Sequence, residues 1–220
     1  MRNNIPITEM FNAIQGEGPE AGVPTFFVRT SGCNIEPKCG WCDSKYSWDK
    51  KGLSYPLHNL KSIVSTKRHV TITGGEPCLH DEELESIIND CPTTKFSLET
   101  NGTIFSSAGY NSIIVSPKRQ MVKENVISRY VLRSNRCMKC TPGTSNINFK
   151  FVYEDGNDNW WEGLIARCNI PRNKVFIMPE GKTREEQIEK MPEVMEYCRD
   201  QGYNFSPRLQ VLAYDQRRKV

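Results

Sequence analysis

Seven short runs along the chain are dominated by β-branched, aromatic and aliphatic residues: 25–30, 69–73, 95–99, 112–116, 148–152, 174–178 and 209–213. Most are apolar at consecutive positions instead of alternating, which is the pattern of parallel strands covered on both faces. Between them the period lengthens. From Asp81 to about Cys91, Leu84, Ile87, Ile88 and Cys91 fall on one helical face, and Pro92 stops the segment. Thr183 and Glu186 have the spacing of a capping box. The helix after them carries Ile188, Met191, Met195 and Cys198 on one stripe, and Pro192 within it predicts a kink or a restart. Strand–helix alternation of this kind predicts an α/β fold with a parallel sheet, in one compact domain over 1–220. One stretch departs from the pattern. Positions 118–139 hold seven Lys or Arg and a single acid, Glu124, and read as a basic insertion at about 119–145, a solvated helix or hairpin.

Composition narrows the function. At 220 residues the chain can bury a sizeable core but is short for a complete eight-unit (β/α) barrel. A net charge of +3 is too small to call for nucleic acid. No run of about 18 apolar residues is present, so a membrane span is not expected. The opening MRNNIPITEMF lacks the apolar stretch of a secretory signal. Nine cysteines, an odd number, then point to a reducing, cytoplasmic setting in which thiols serve as ligands or core residues.

The cysteines sort by neighbourhood. Cys91 and Cys198 sit on apolar helix stripes, and Cys78 and Cys168 have no partner at ligand spacing; all four read as core. Cys33, Cys39 and Cys42 form C-x5-C-x2-C, and Cys137 with Cys140 forms C-x2-C. One reading is zinc on Cys39, Cys42, Cys137 and Cys140. It leaves Cys33 over and separates the pairs by 94 residues, against about 15–20 in a zinc ribbon. The other uses the first three alone on a [4Fe–4S] cluster, which takes four ligands; the fourth iron then stays open to a small molecule bearing an amine and a carboxylate.

The predicted strands end in polar, turn-forming sets, where α/β folds place ligands. Strand 69–73 runs into Gly74-Gly75-Glu76-Pro77, whose glycines let backbone approach a ligand and whose Glu76 offers an acceptor to an ammonium. Strand 95–99 ends in Glu99-Thr100-Asn101-Gly102, strand 112–116 in Ser116-Pro117-Lys118, and strand 174–178 in Pro179-Glu180-Gly181. Upstream, Gln15 and Glu17 of QGEG suit the hydrogen-bonding edge of a heterocycle. Arg29, four residues before Cys33, suits a carboxylate.

Together IQGEG, FVRTSGCN, CGWCDSKYSW, ITGGEP, LETNGT, SPK, FKFV, MPEG and RLQVL resemble the radical S-adenosylmethionine (SAM) enzymes, and within them the 7-carboxy-7-deazaguanine synthase family. The resemblance covers most of the chain outside about 119–145 and the C-terminal tail. It implies an incomplete (β/α) barrel of the radical SAM type, usually a homodimer. It implies a [4Fe–4S] cluster on Cys33, Cys39 and Cys42 with SAM on the open iron. Trp41, Cys42 and Asp43 would border SAM, and Gly75, Ser116, Pro117, Lys118, Met178, Pro179, Glu180 and Gly181 would hold its methionine and adenosine parts. The implied substrate is 6-carboxy-5,6,7,8-tetrahydropterin. Ile14, Gln15, Gly16 and Thr73 would contact the pterin, Arg29 would bind its carboxylate, and Mg²⁺ would sit between substrate and the Ser44 hydroxyl. The implied reaction is that of a lyase in deazapurine (queuosine-type) biosynthesis: hydrogen abstraction from C6, ring contraction and loss of ammonia, with electrons from a donor such as flavodoxin or ferredoxin.

Two features depart from the family pattern. The usual loop is C-x3-C-x2-C, and here Pro37 and Lys38 lie in a first gap longer by two residues, so a bulged loop is expected. Ser44 stands where Thr is usual. Two rival readings share some of the motifs: another radical SAM enzyme, such as a glycyl-radical activase, and a zinc-binding nucleic-acid module using the basic 118–139 stretch.

Overall fold

The computed structural model describes residues 3–49, 52–137, 146–154 and 159–220. Its centre is one nine-stranded sheet in the order β3-β1-β2-β4-β5-β6-β7-β8-β9. β1 (Asn4–Ile14) pairs antiparallel with β2 (Pro24–Thr30) on one side and with β3 (Leu53–Pro56) on the other. From β2 onward every pairing is parallel, through β4 (His69–Gly74), β5 (Lys95–Thr100), β6 (Ser112–Val115), β7 (Asn146–Tyr153), β8 (Val175–Pro179) and β9 (Asn204–Phe205). The end strands β3 and β9 do not meet, so the (β/α) barrel is incomplete.

The crossovers carry α1 (Leu57–Val64), α2 (Asp81–Asp90), α3 (Glu124–Cys137), α4 (Trp160–Cys168) and α5 (Arg184–Gln201), with α6 (Leu209–Tyr214) at the end. The outward strand residues Val70, Ile72, Phe96, Leu98, Ile113, Val115, Phe149, Phe151, Val175 and Ile177 are buried with the inner helix faces in one core. Cys78, Cys91, Cys168 and Cys198 are part of it. The alternate strand positions look inward and are largely polar. Thr25 meets Thr71 at 2.9 Å and His69 meets Ser97 at 2.8 Å. Nearer the strand ends Arg29, Thr73, Glu99 and Lys150 reach a cavity. Period-2 alternation therefore separates an apolar outer face from a polar inner one.

Six of the seven predicted strands are strands within a residue or two of the expected bounds. The seventh, 209–213, is helix α6. The amides of Val211 and Leu212 both donate to the Arg208 carbonyl, and the sheet edge beside β8 is taken by β9 instead. A five-residue run with four apolar positions does not distinguish the two forms. The capping box is present in both directions: Glu186 N–H donates to Thr183 Oγ1 at 3.2 Å, and Thr183 N–H donates to Glu186 Oε2 at 3.1 Å. α5 runs on through Pro192 without a restart. Of the stripe predicted for α5, Cys198 alone is buried in the core. Gln187, Val194 and Cys198 are buried, whereas Ile188 is 57% and Met195 49% exposed. The basic stretch forms α3, whose Ile127, Tyr130 and Val131 join the core. The Cys137 side chain and Cys140 lie outside the described residues, as does the rest of the segment to 145.

Candidate active site

At the carboxyl ends of β2 and β4–β8 lies a cavity of about 630 Å³, within the ~300–1,000 Å³ usual for small-molecule sites. The loop after β2 forms one wall and contributes Cys33, Cys39 and Cys42. Backbone bonds close this loop on itself: Gly32 N–H donates to Ser47 O at 2.9 Å and Cys33 N–H to Trp48 O at 3.2 Å. The longer first gap is tied down as well, since Lys38 Nζ donates to the carbonyls of Cys33 (2.9 Å) and Ile35 (3.0 Å). Trp48 Nε1 donates to Cys42 Sγ at 3.3 Å, the kind of contact that tunes a metal-bound thiolate.

The three thiols are electrostatic neighbours. Burial pushes the Cys39 thiol up, Lys118 opposes it, and Cys42 and Cys33 push it further up. Among the described residues, no three His, Cys, Asp or Glu side chains converge on a single ion. A cube takes each thiolate at a different iron, so its ligands stand around a volume instead of a point. Three soft sulfur donors with that spacing fit an iron–sulfur cluster.

GGEP supports this wall. A Cβ on Gly75 would lie 2.1 Å from Gly32 O, and one on Gly74, at φ +150, would lie 2.4 Å from Thr30 O. Glu76 N–H donates to Gly32 O at 2.8 Å. The glycines are thus required by the close approach of the cysteine loop's own backbone. The Glu76 carboxylate, expected to meet an ammonium, is fully buried instead. It accepts from Cys78 N–H (2.9 Å), Thr100 Oγ1 (2.8 Å) and Asn101 N–H (2.7 Å). It fastens the end of β5 to the turn after β4.

The opposite wall is ionic. Glu17 accepts from Lys150 Nζ (2.6 Å), Arg208 Nε (3.0 Å) and Gln210 Nε2 (2.8 Å). Burial alone would raise its carboxyl, but Lys150 and Arg208 outweigh burial and hold it far below the usual range. Glu17 lines the cavity with its carboxylate engaged in this knot. Gln15 turns its amide to Glu99 Oε1 at 2.8 Å, and Thr73 Oγ1 donates to Glu99 Oε2 at 3.2 Å.

Arg29 faces the cavity between the walls. Its Nε donates to Glu9 Oε1 at 2.8 Å and its Nη1 to Ser44 Oγ at 3.2 Å, which leaves the Nη edge for an anion. Burial works against the Arg29 cation, but Tyr46, Glu9 and Asp43 raise its pKa overall. Glu9 also accepts from Tyr46 Oη (2.9 Å) and from Arg218 Nη2 (2.9 Å), and the Arg218 guanidinium lies 3.6 Å from the Tyr46 ring centre. Ser44 Oγ donates in turn to Asp43 Oδ1 at 3.0 Å, placing two hard oxygen donors side by side. Lys118 lies over the Trp41 ring at 4.9 Å and donates to Ser116 Oγ at 2.7 Å.

Of the site residues that the family resemblance implies, all but Pro117 line this cavity, Pro117 being buried beside Ser116 and Lys118; Glu76, a further candidate from its strand end, does not line it. Glu9, Tyr46, Lys150, Arg208 and Arg218 were missed. Glu9 had a signal, because β1 pairs it directly with Arg29 and opposite charges favour such cross-strand positions. Recognising β1 as a strand would have exposed the pair. Arg208 opens the RLQVL motif, but nothing local pointed to its partners: it stands 191 residues from Glu17 and 165 from Asp43.

An incomplete (β/α) barrel with three loop cysteines over its C-terminal mouth is the architecture of a radical SAM enzyme. No family model matches the chain. The 7-carboxy-7-deazaguanine synthase of Halobacterium salinarum is 32% identical to it, over 96% of this chain and 91% of that protein. The synthase of Pyrobaculum aerophilum is 29% identical, over 96% and 95%. The crystal structure of QueE from Escherichia coli has the same fold, with a TM-score of 0.68 at 24% identity, over 92% of this chain and 93% of that one. The chain belongs to the 7-carboxy-7-deazaguanine synthase family.

Proposed function

We propose that the chain converts 6-carboxy-5,6,7,8-tetrahydropterin to 7-carboxy-7-deazaguanine with loss of ammonia. The observation that carries this reading is that the three thiols, Arg29 and the polar strand ends border one cavity. Cys33, Cys39 and Cys42 would hold a [4Fe–4S] cluster, which, once reduced by an external donor, would supply the electron for reductive cleavage of SAM and so the radical chemistry at C6 of the pterin.

The chain's own residues bind and orient. Trp41 and Asp43 border SAM on the loop side. Gly75, Ser116 and Lys118 take its methionine part, with Pro117 shaping the turn between the last two. Met178, Pro179, Glu180 and Gly181 form the turn against which adenosine rests. Ile14, Gln15, Gly16 and Thr73 frame the pterin. Arg29 presents its Nη edge to the substrate carboxylate, and Glu9, itself held by the Tyr46 hydroxyl, occupies its Nε. Ser44 Oγ, with Asp43 beside it, would offer hard oxygen ligands to a Mg²⁺. The ion would replace the Arg29 bond to Ser44 and so release Nη1 toward the carboxylate.

We further infer a homodimer, a cytoplasmic setting and reduction by a flavodoxin- or ferredoxin-type donor. Among the described residues no helix is long and apolar enough to cross a membrane. The test is anaerobic reconstitution with iron and sulfide, then incubation with SAM, Mg²⁺, reductant and the carboxytetrahydropterin. The expected result is one carboxydeazaguanine per ammonia released. A full cluster that splits SAM without forming product contradicts the reading.

A further inference from the structure

Arg208 joins segments of the cavity that no strand pairing connects. It is 7% exposed, and each guanidinium nitrogen has its own acceptor. Nε donates to Glu17 Oε1 at 3.0 Å, Nη1 donates to Gly181 O at 2.6 Å, and Nη2 donates to Asp43 Oδ2. Asp43 directly follows Cys42, and Gly181 closes the turn after β8. The remaining carboxylate contacts of Glu17 go to Lys150 and Gln210. Two cations, Arg208 and Lys150, thus balance two anions, Glu17 and Asp43, and the planar fork of the arginine fixes three directions at once. Arg208 is buried while the Asp43 side chain is half exposed, and an ion-pair network of this kind is weak evidence for net stability.

We propose that Arg208 is a positioning residue that holds the Cys42–Asp43 corner of the cysteine loop at a fixed distance from the Gly181 turn, so that the two ends of bound SAM are gripped in register. The inference rests on the radical SAM reading above. A lysine at this position keeps the charge but presents one nitrogen to three acceptors. Without Arg208, Glu17 keeps Lys150 while Asp43 loses its cation and keeps only the Ser44 hydroxyl.

The test uses full-length, anaerobically reconstituted protein and compares Arg208→Lys, Arg208→Gln and Asp43→Asn with the unaltered chain. Arg184→Gln serves as the control, because Arg184 binds the α6 carbonyls of Leu212 and Ala213 outside the cavity. Iron is counted per chain, SAM affinity is expressed per assembled cluster, and 5′-deoxyadenosine is measured against carboxydeazaguanine. The expected result for Arg208→Gln is SAM affinity about tenfold weaker per cluster and a deoxyadenosine-to-product ratio several times higher. Arg208→Lys should lie between, and Arg208→Gln combined with Asp43→Asn should be no worse than Arg208→Gln alone. Arg184→Gln should change thermal stability only. Unchanged affinity and ratio per cluster in Arg208→Gln, including when its iron content falls, would overturn the inference and reduce Arg208 to a structural brace. Failure of the unaltered, iron-loaded chain to bind SAM would instead overturn the reading on which the inference rests.

Discussion

The two walls of the cavity are built from different materials. The cysteine wall is held by main chain: glycines of one loop lie against the carbonyls of another, and the Glu76 carboxylate is bonded to the amides of Cys78 and Asn101. The opposite wall is held by side-chain charge, with Glu17 between Lys150 and Arg208. Backbone packing tolerates almost no added volume and does not itself titrate, whereas burial raises the Glu76 carboxyl that it encloses. Ionic contacts tolerate small changes in shape but answer to protonation. The cluster loop, which must hold several atoms within tenths of an ångström, uses the stiffer material.

That contrast is tested most severely at Gly75. Gly75→Ala puts a methyl 2.1 Å from Gly32 O, so the loop bearing Cys33 must move. The expected cost is about 2–4 kcal/mol of stability, read from urea unfolding, with iron per chain falling in parallel. Wild-type stability and iron content would mean that the two loops are not locked together. A smaller effect is expected at Arg29, which joins the two materials. Arg29→Ala removes a charged hydrogen-bond donor of about 1.5–3 kcal/mol. It should weaken carboxytetrahydropterin binding roughly 10–100-fold while leaving iron content intact. Unaltered pterin affinity would favour an activase, which has no need of this arginine.

The smallest effect is the pH response of the ionic wall. Burial raises the Glu17 carboxyl, but Lys150 and Arg208 bring it far below its ordinary value of 4.5. A lowered folded-state value contributes stability that is present above pH 4.5 and lost as pH falls through the lower value. Urea midpoints of the apoprotein should therefore hold steady near neutrality and decline below about pH 4.5. In Glu17→Gln the whole curve should lie lower and the acid limb should be shallower. An identical acid limb in both proteins would remove Glu17 from the account.

The same division explains what the sequence disclosed. C-x5-C-x2-C, GGEP and the polar strand ends are local, because a backbone junction needs glycine at a given position and a ligand loop needs its cysteines close together in the chain. Those features also told α/β from other classes, and the consecutive apolar runs located six strands. What stayed hidden is non-local. Lys150 and Arg208 meet Glu17 only after 133 and 191 residues of chain have folded. Helix α6 resembled a strand because a five-residue run with four apolar positions is too short to show a period. The α5 stripe was legible as amphipathic but its direction was not, because periodicity identifies a face and not what covers it. Glu9 was missed for a third reason: β1 was not recognised, so its partner across the ladder was not sought.

The central claim is that three thiols hold a cluster with one corner left for SAM at the mouth of this barrel. Electron paramagnetic resonance of the reduced, reconstituted protein with and without SAM tests it most directly. The account predicts a [4Fe–4S]⁺ signal whose g-values shift when SAM is added, and no such signal after Cys39→Ala. A signal indifferent to SAM, or one that survives loss of Cys39, would contradict it.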